Sequence, residues 1–171
     1  MADPIRQATS EELAYCAGII DGEGCISMFE QNNETSQKQW RKAGDVRYRY
    51  KVKVKMVDHE ACALLMEVFG GSLYWNPLQK LQERQRFATI TWTVSERRAA
   101  KCIRQLLPYL RIKQKQAELL LLMADNVMKY DHVGRGRKVA PKDTALRHGL
   151  IEQVRAQNQR VHLVAREKAA S

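Results

Sequence analysis

Residues 47–56 read RYRYKVKVKM, an unbroken alternation of basic with aromatic or apolar side chains. A strand points successive side chains to opposite faces, whereas a helix would scatter the same residues around its circumference. Arg47, Arg49, Lys51, Lys53 and Lys55 therefore share one face, and Tyr48, Tyr50, Val52, Val54 and Met56 share the other. The apolar side requires a cover. Like charges along a strand repel one another, so a polyanionic partner is preferred over the blander alternative of a solvated sheet face.

The rest of the chain supports such a partner. It carries 29 Lys plus Arg against 19 Asp plus Glu, a formal charge of +10. The excess is uneven: residues 1–36 contain one basic side chain, Arg6, and seven acids, leaving 28 basic and 12 acidic residues for the remainder. Nucleic acid fits better than an acidic membrane, because no basic amphipathic helix or apolar anchor stands out and no stretch reaches the roughly 18 apolar residues of a span. The opening MADPIRQATSEE lacks the basic-then-apolar order of a signal peptide. The expectation is a soluble intracellular protein with no membrane partner, either in an organelle (chloroplast or mitochondrion) or in a bacterial cytoplasm. At 171 residues and 44% hydrophobic content, the chain can bury one core as one domain. Cys16, Cys25, Cys62 and Cys102 lack paired spacing and read as reduced packing residues, and the four histidines show no ligand spacing.

Thr9 with Glu12 forms a capping box for a helix from about residue 10 to Asp21, ended by Gly22 and Gly24. CISMF is a strand, followed by a polar stretch over 31–45 and the alternating strand. Asp58 caps a helix of about 59–69 that ends at Gly70-Gly71. SLYWN and RFATITWTV are two more strands, with Trp92 between Thr91 and Thr93 assigned to the core. Helices follow from Ser95-Glu96 to near Pro108, over about 113–130, and over 144–168 after a basic loop at 132–142. The order is αββαββα with a C-terminal helical extension. It predicts an α+β fold whose antiparallel sheet has helices on one face and lysines and arginines on the other.

On the first helix Ala14, Gly18 and Gly22 recur every fourth residue, a stripe with almost no side-chain volume. It suits close packing, either inside one core or between two copies. Asp21 and Glu23 then stand at a helix C-terminus, where the macrodipole disfavours acids. Something positive must compensate. If two such helices pack in parallel along their stripes, two D-G-E-G ends meet, and their carboxylates and carbonyls are hard oxygen ligands that suit Mg²⁺. Metal ions beside a basic sheet are suited to phosphodiester hydrolysis.

The segment LAYCAGIIDGEG (13–24), with the element order that follows it, resembles the LAGLIDADG motif of homing endonucleases. LPYLRIKQKQAELLL (107–121) resembles the single-motif, homodimeric branch of that family, and the likeness spans about residues 9–130. The resemblance implies a curved sheet in a single domain over 1–171. It also implies a homodimer with Ala14, Gly18, Asp21 and Gly22 at its interface, cutting both strands of a long pseudo-palindromic DNA and promoting intron mobility. Glu23 and the carbonyl of Gly22 would hold Mg²⁺, with Mn²⁺ as a substitute and Ca²⁺ supporting binding without cleavage. The active-site lysine maps to Lys113, with Lys115 beside it. Where the branch usually has a water-positioning glutamine this chain reads KVKMVD (53–58), which leaves Lys53, Lys55 or Met56 at that place; Lys55 joins Glu23 and Lys113 as a catalytic candidate.

Double-stranded DNA would lie on the open face against Ser27, Arg47, Arg49, Lys51, Lys53, Lys55, Tyr74, Asn76, Gln85, Thr89, Thr91 and Thr93, with Lys115 added from a second basic set of Arg97, Arg98, Lys101, Arg104, Arg111, Lys113 and Lys115 that would serve phosphates. The rivals on the same fold are a splicing maturase that binds intron RNA and a DNA-binding regulator with a dead metal site. A requirement for divalent ion in hydrolysis separates the enzyme from both.

Overall fold

The computed structural model describes residues 7–32, 46–77, 87–131 and 139–169, the side chains of the last helix as far as residue 159. Its elements are α1 (Ser10–Glu23), β1 (Gly24–Asn32), β2 (Val46–Met56), α2 (His59–Phe69), β3 (Ser72–Asn76), β4 (Thr89–Ser95), α3 (Glu96–Leu106), α4 (Gln114–Asp131) and α5 (Pro141–Ala169). The αββαββα order and the helical addition are as the sequence predicts.

Local chemistry accounts for most boundaries. The backbone N–H of Glu12 donates to Thr9 Oγ1 at 3.3 Å and that of Thr9 to Glu12 Oε2 at 2.9 Å, which closes the capping box. Helix α1 runs through Gly22 and stops only at Gly24, whose N–H still reaches Ile20 O. A Cβ on Gly24 would lie 2.5 Å from that carbonyl oxygen, so only glycine lets the chain turn so closely into β1. Asp58 accepts from the N–H groups of Glu60 and Ala61, and α2 ends at Gly70 with φ 68°. The carbonyl of Gly70 accepts the Trp92 indole N–H at 2.8 Å, which ties the turn to the core.

The strands form one antiparallel sheet in the order β1-β2-β4-β3. Ile26, Met28, Tyr48, Tyr50, Val52, Val54, Trp92 and Val94 are buried beneath the helices, against Ile20, Leu65, Val68, Ile103, Leu106, Leu120 and Met123. Each fully buried aliphatic or aromatic side chain contributes about 1.5–3 kcal/mol. Cys16, Cys62 and Cys102 are buried and all four cysteines are free thiols.

Helix α5 begins three residues before its expected start, with Pro141 in the first turn. A polar network docks it. Buried Asp143 accepts from Asn126 Nδ2 at 2.6 Å and from the Tyr130 hydroxyl at 2.5 Å, and buried Arg147 donates from Nε to Asn126 Oδ1 at 2.7 Å. The Arg147 guanidinium also lies over the rings of Tyr48 and Tyr130, at 5.0 and 5.2 Å. Further along, Asn158 donates to the carbonyl of Ile26 at 3.1 Å, so the extension is anchored on the first strand. Among the described residues no helix is long and apolar enough to cross a membrane.

Candidate active site and nucleic-acid interface

The end of α1 is joined to the loop that precedes α4. Asp21 accepts the backbone N–H of Arg111 at 2.7 Å on Oδ2 and that of Lys113 at 2.8 Å on Oδ1. The ammonium of Lys113 in turn donates to the carbonyl oxygen of Asp21. This is the positive group that an acidic helix C-terminus demands. Asp21 therefore faces inward to the loop, while the small residues of the stripe face outward.

Lys113 is only 9% exposed. Burial lowers its pKa, against the opposing pull of Asp21, then Cys25, then Glu23. The bonds between Lys113 and Asp21 bring Lys113 to the helix end that carries Glu23, although 90 residues separate Glu23 from Lys113 in the chain. Both Glu23 and Gly22 are exposed at the margin of the sheet, immediately before β1. Lys115 is exposed as well, 3.6 Å from Glu118.

The sheet register places the other candidates on one face. Ser27 lies opposite Lys51, Lys53 opposite Thr93, Lys55 opposite Thr91, Tyr74 opposite Thr91 and Asn76 opposite Thr89. With Arg47 and Arg49 these side chains share the surface that the helices leave open. Asn76 donates to Thr91 Oγ1 at 2.9 Å, and the Lys51 ammonium lies 5.0 Å above the Phe29 ring. Gln85 lies outside the described residues. Lys53 pairs with Cys25 and Lys55 stands two residues further along, while Met56 pairs with Ile90 and packs on the opposite, core-facing side. Of the side chains considered for the missing glutamine's place, only the two lysines face the open surface.

The second basic set divides, Lys113 lying at the end of α1 and its first four members on α3. Arg97, Arg98 and Lys101 are exposed on α3 in the helical layer, and Arg104 binds Asp125 at 2.5 Å. Two contributors to the open face had no sequence signal. Gln31 and Glu96 both contact Arg49, at 3.0 Å each, from elements whose register the sequence did not reveal.

Among the described residues nothing covers the stripe on α1. Ala14, Gly18 and Gly22 are exposed, and a Cβ built on Gly18 or Gly22 meets nothing within 4 Å. Tyr15 beside them is 56% exposed.

These features define the class as an α+β domain whose four-stranded antiparallel sheet is covered by helices on one face and carries a basic, polar surface on the other, with a buried lysine bonded to the end of the leading helix. The LAGLIDADG endonuclease profile matches residues 16–124, and the chain belongs to that family. No curated protein matches the sequence. Among solved structures, the homing endonuclease I-CvuI, in complex with its target in the presence of 2 mM Ca, has a TM-score of 0.62 at 17% identity and covers 86% of this chain and 82% of its own. The archaeal intron-encoded homing endonuclease I-Vdi141I, complexed with DNA, also has 0.62, at 14% identity over 86% and 84%. The homing endonuclease I-TnaI has 0.53, at 10% identity over 87% and 97%. At such identities the likeness establishes the fold.

Proposed function

We propose that the protein is a homodimeric, Mg²⁺-dependent endonuclease that cuts both strands of a long pseudo-palindromic DNA and so promotes intron mobility. The observation that carries this reading is the bonding of Lys113 to Asp21, two residues before Glu23 at the end of α1, beside a sheet face bearing Arg47, Arg49, Lys51, Lys53 and Lys55. The whole chain acts as one domain, with α5 as a brace on the catalytic core.

The Glu23 carboxylate and the Gly22 carbonyl are the hard oxygen donors for Mg²⁺. Among the described residues no group of three or more acids, histidines or cysteines gathers in one chain. Two copies joined along the α1 stripe bring two such helix ends together and supply the missing donors. Bound Mg²⁺ would supply Lewis-acid chemistry and lower the pKa of a water. Lys113 holds its ammonium where negative charge develops on the phosphate, and Asp21 fixes the loop that carries it. Lys55 or Lys53 orients the attacking water in place of the usual glutamine. The basic open face aligns the duplex, neutralising phosphates and reading base edges.

The test is digestion of a randomised DNA library by the purified protein in Mg²⁺ and in EDTA, with Glu23→Gln alongside and the cut ends sequenced. A single near-palindromic site, cut only with Mg²⁺ and only by wild type, is the expected outcome. Full cutting by Glu23→Gln would overturn the metal-ligand assignment. Retention of a DNA or an intron RNA without cleavage would move the function to a regulator or a maturase.

A further inference from the structure

Glu96 is the one non-glycine residue with positive φ among the described residues, at 56°. A Cβ disfavours that left-handed conformation, and glycine is the residue that adopts it freely. An acid in the first turn of α3 suits the helix dipole, but that preference would be met with ordinary φ. Here the side chain instead leaves the helix end and crosses to the open face, where Oε1 accepts from Arg49 Nη1 at 3.0 Å. Ser95, the N-cap residue, makes no side-chain cap bond in its place. On the other side of the same guanidinium, Arg49 Nε donates to Gln31 Oε1 at 3.0 Å. Residues from β1 and α3 thus hold one arginine of β2 at two of its nitrogens.

Neither bond uses Nη2. Of the five guanidinium N–H groups three remain, one on Nη1 and two on Nη2, and one from each of these nitrogens can form the paired donation that matches O6 and N7 of guanine in the major groove. A carboxylate on a polyanion-binding surface weakens general phosphate attraction. Glu96 is therefore unfavourable twice, in its backbone and in its charge, unless it serves the arginine. Fixing rotamers before binding reduces the ordering that recognition must otherwise supply.

We infer that Glu96, with Gln31, is a positioning residue that presents Arg49 to one guanine in each half of the target, making this arginine a determinant of sequence specificity. The inference rests on the DNA-cutting reading above. Lys51 and Lys53, which among the described residues are not held at two nitrogens as Arg49 is, supply attraction more than sequence discrimination.

The experiment compares full-length wild type with Glu96→Gln, Glu96→Gly, Arg49→Ala and the Arg49→Ala/Glu96→Gln double variant. Each is incubated in Ca²⁺ with a library in which every position of the wild-type site is varied, and the bound DNA is sequenced. Glu96→Gly relieves the positive-φ strain, so its melting temperature should equal or exceed that of wild type. Wild type should favour guanine at one symmetric pair of positions. Both Glu96 variants should lose about tenfold of that preference, there and nowhere else, the size of a weakened bidentate contact. Arg49→Ala should abolish the preference, and adding Glu96→Gln to it should change nothing further. Unaltered profiles in the Glu96 variants, or losses spread over all positions, would overturn this inference while leaving the DNA reading intact. A wild type that enriches no sequence would overturn the DNA reading, and this inference with it.

Discussion

Asp21 and Glu23 are two residues apart and do different work. Glu23 is exposed, whereas both carboxylate oxygens of Asp21 are taken by backbone N–H groups of Arg111 and Lys113. Glu23 and Lys113 were legible because each stands in a segment with a recognisable pattern. The task of Asp21 was not, because its partners are backbone groups 90 residues on, which leave no trace in side-chain sequence. Asp21→Asn keeps the shape of the side chain but turns an N–H₂ group toward a backbone donor, at a local cost of about 1–3 kcal/mol. The expected outcome is DNA cleavage slowed about tenfold or more in single-turnover assays, with Ca²⁺-supported binding unchanged. Introduced into Lys113→Gln, the same substitution should slow cleavage little further, because both act through one ammonium. Full additivity, or wild-type cleavage by Asp21→Asn, would show that Asp21 does not position Lys113.

Elements differed in how much of their placement could be read in advance. Strand β2 announced itself because a period of two sorts its basic and apolar residues without exception, and burial follows that sorting from Tyr48 to Val54. The docking of α5 stayed hidden. Asn126, Tyr130, Asp143 and Arg147 stand on two helices separated by a loop, each polar residue ordinary for an exposed face, and only their meeting makes them a buried network. Hydrogen bonds from Tyr130 first, then Asn126, hold the Asp143 carboxyl below its ordinary value of 3.8. A carboxylate favoured in the folded state adds stability that is fully present above the unfolded value and is lost as pH falls through the lower folded one. Asp143→Asn should therefore melt at lower temperature than wild type at neutral pH, with the gap closing progressively below pH 3.8. Paired melting curves across pH 7 to 2.5, roughly the range over which a carboxylate changes charge, test this. A gap that stays constant on acidification would mean that the network stabilises by shape and not by the charge of Asp143.

At the scale of the whole molecule, the helices cover one side of the sheet and leave two surfaces without a partner among the described residues, the basic sheet face and the small stripe of α1. The first was visible in the alternation of β2, and the second in the spacing of Ala14, Gly18 and Gly22, whose outward orientation only the structure reveals. These surfaces converge at Glu23, where α1 ends and β1 begins. If a second copy covers the stripe, dimerisation both completes the metal ligands and aligns two basic faces along one duplex, so assembly and cleavage must fail together. Gly18→Leu separates this from a defect in folding, because a Cβ at Gly18 meets nothing within 4 Å among the described residues. Gly149→Leu on α5, equally open, is the control. Gly18→Leu should melt near wild type yet weaken self-association by at least about 2 kcal/mol, roughly thirtyfold, by light scattering and sedimentation. It should also lose cleavage at concentrations where wild type and Gly149→Leu still cut. A Gly18→Leu protein that stays dimeric would place the interface elsewhere and remove the stripe as the reason two Glu23 carboxylates meet.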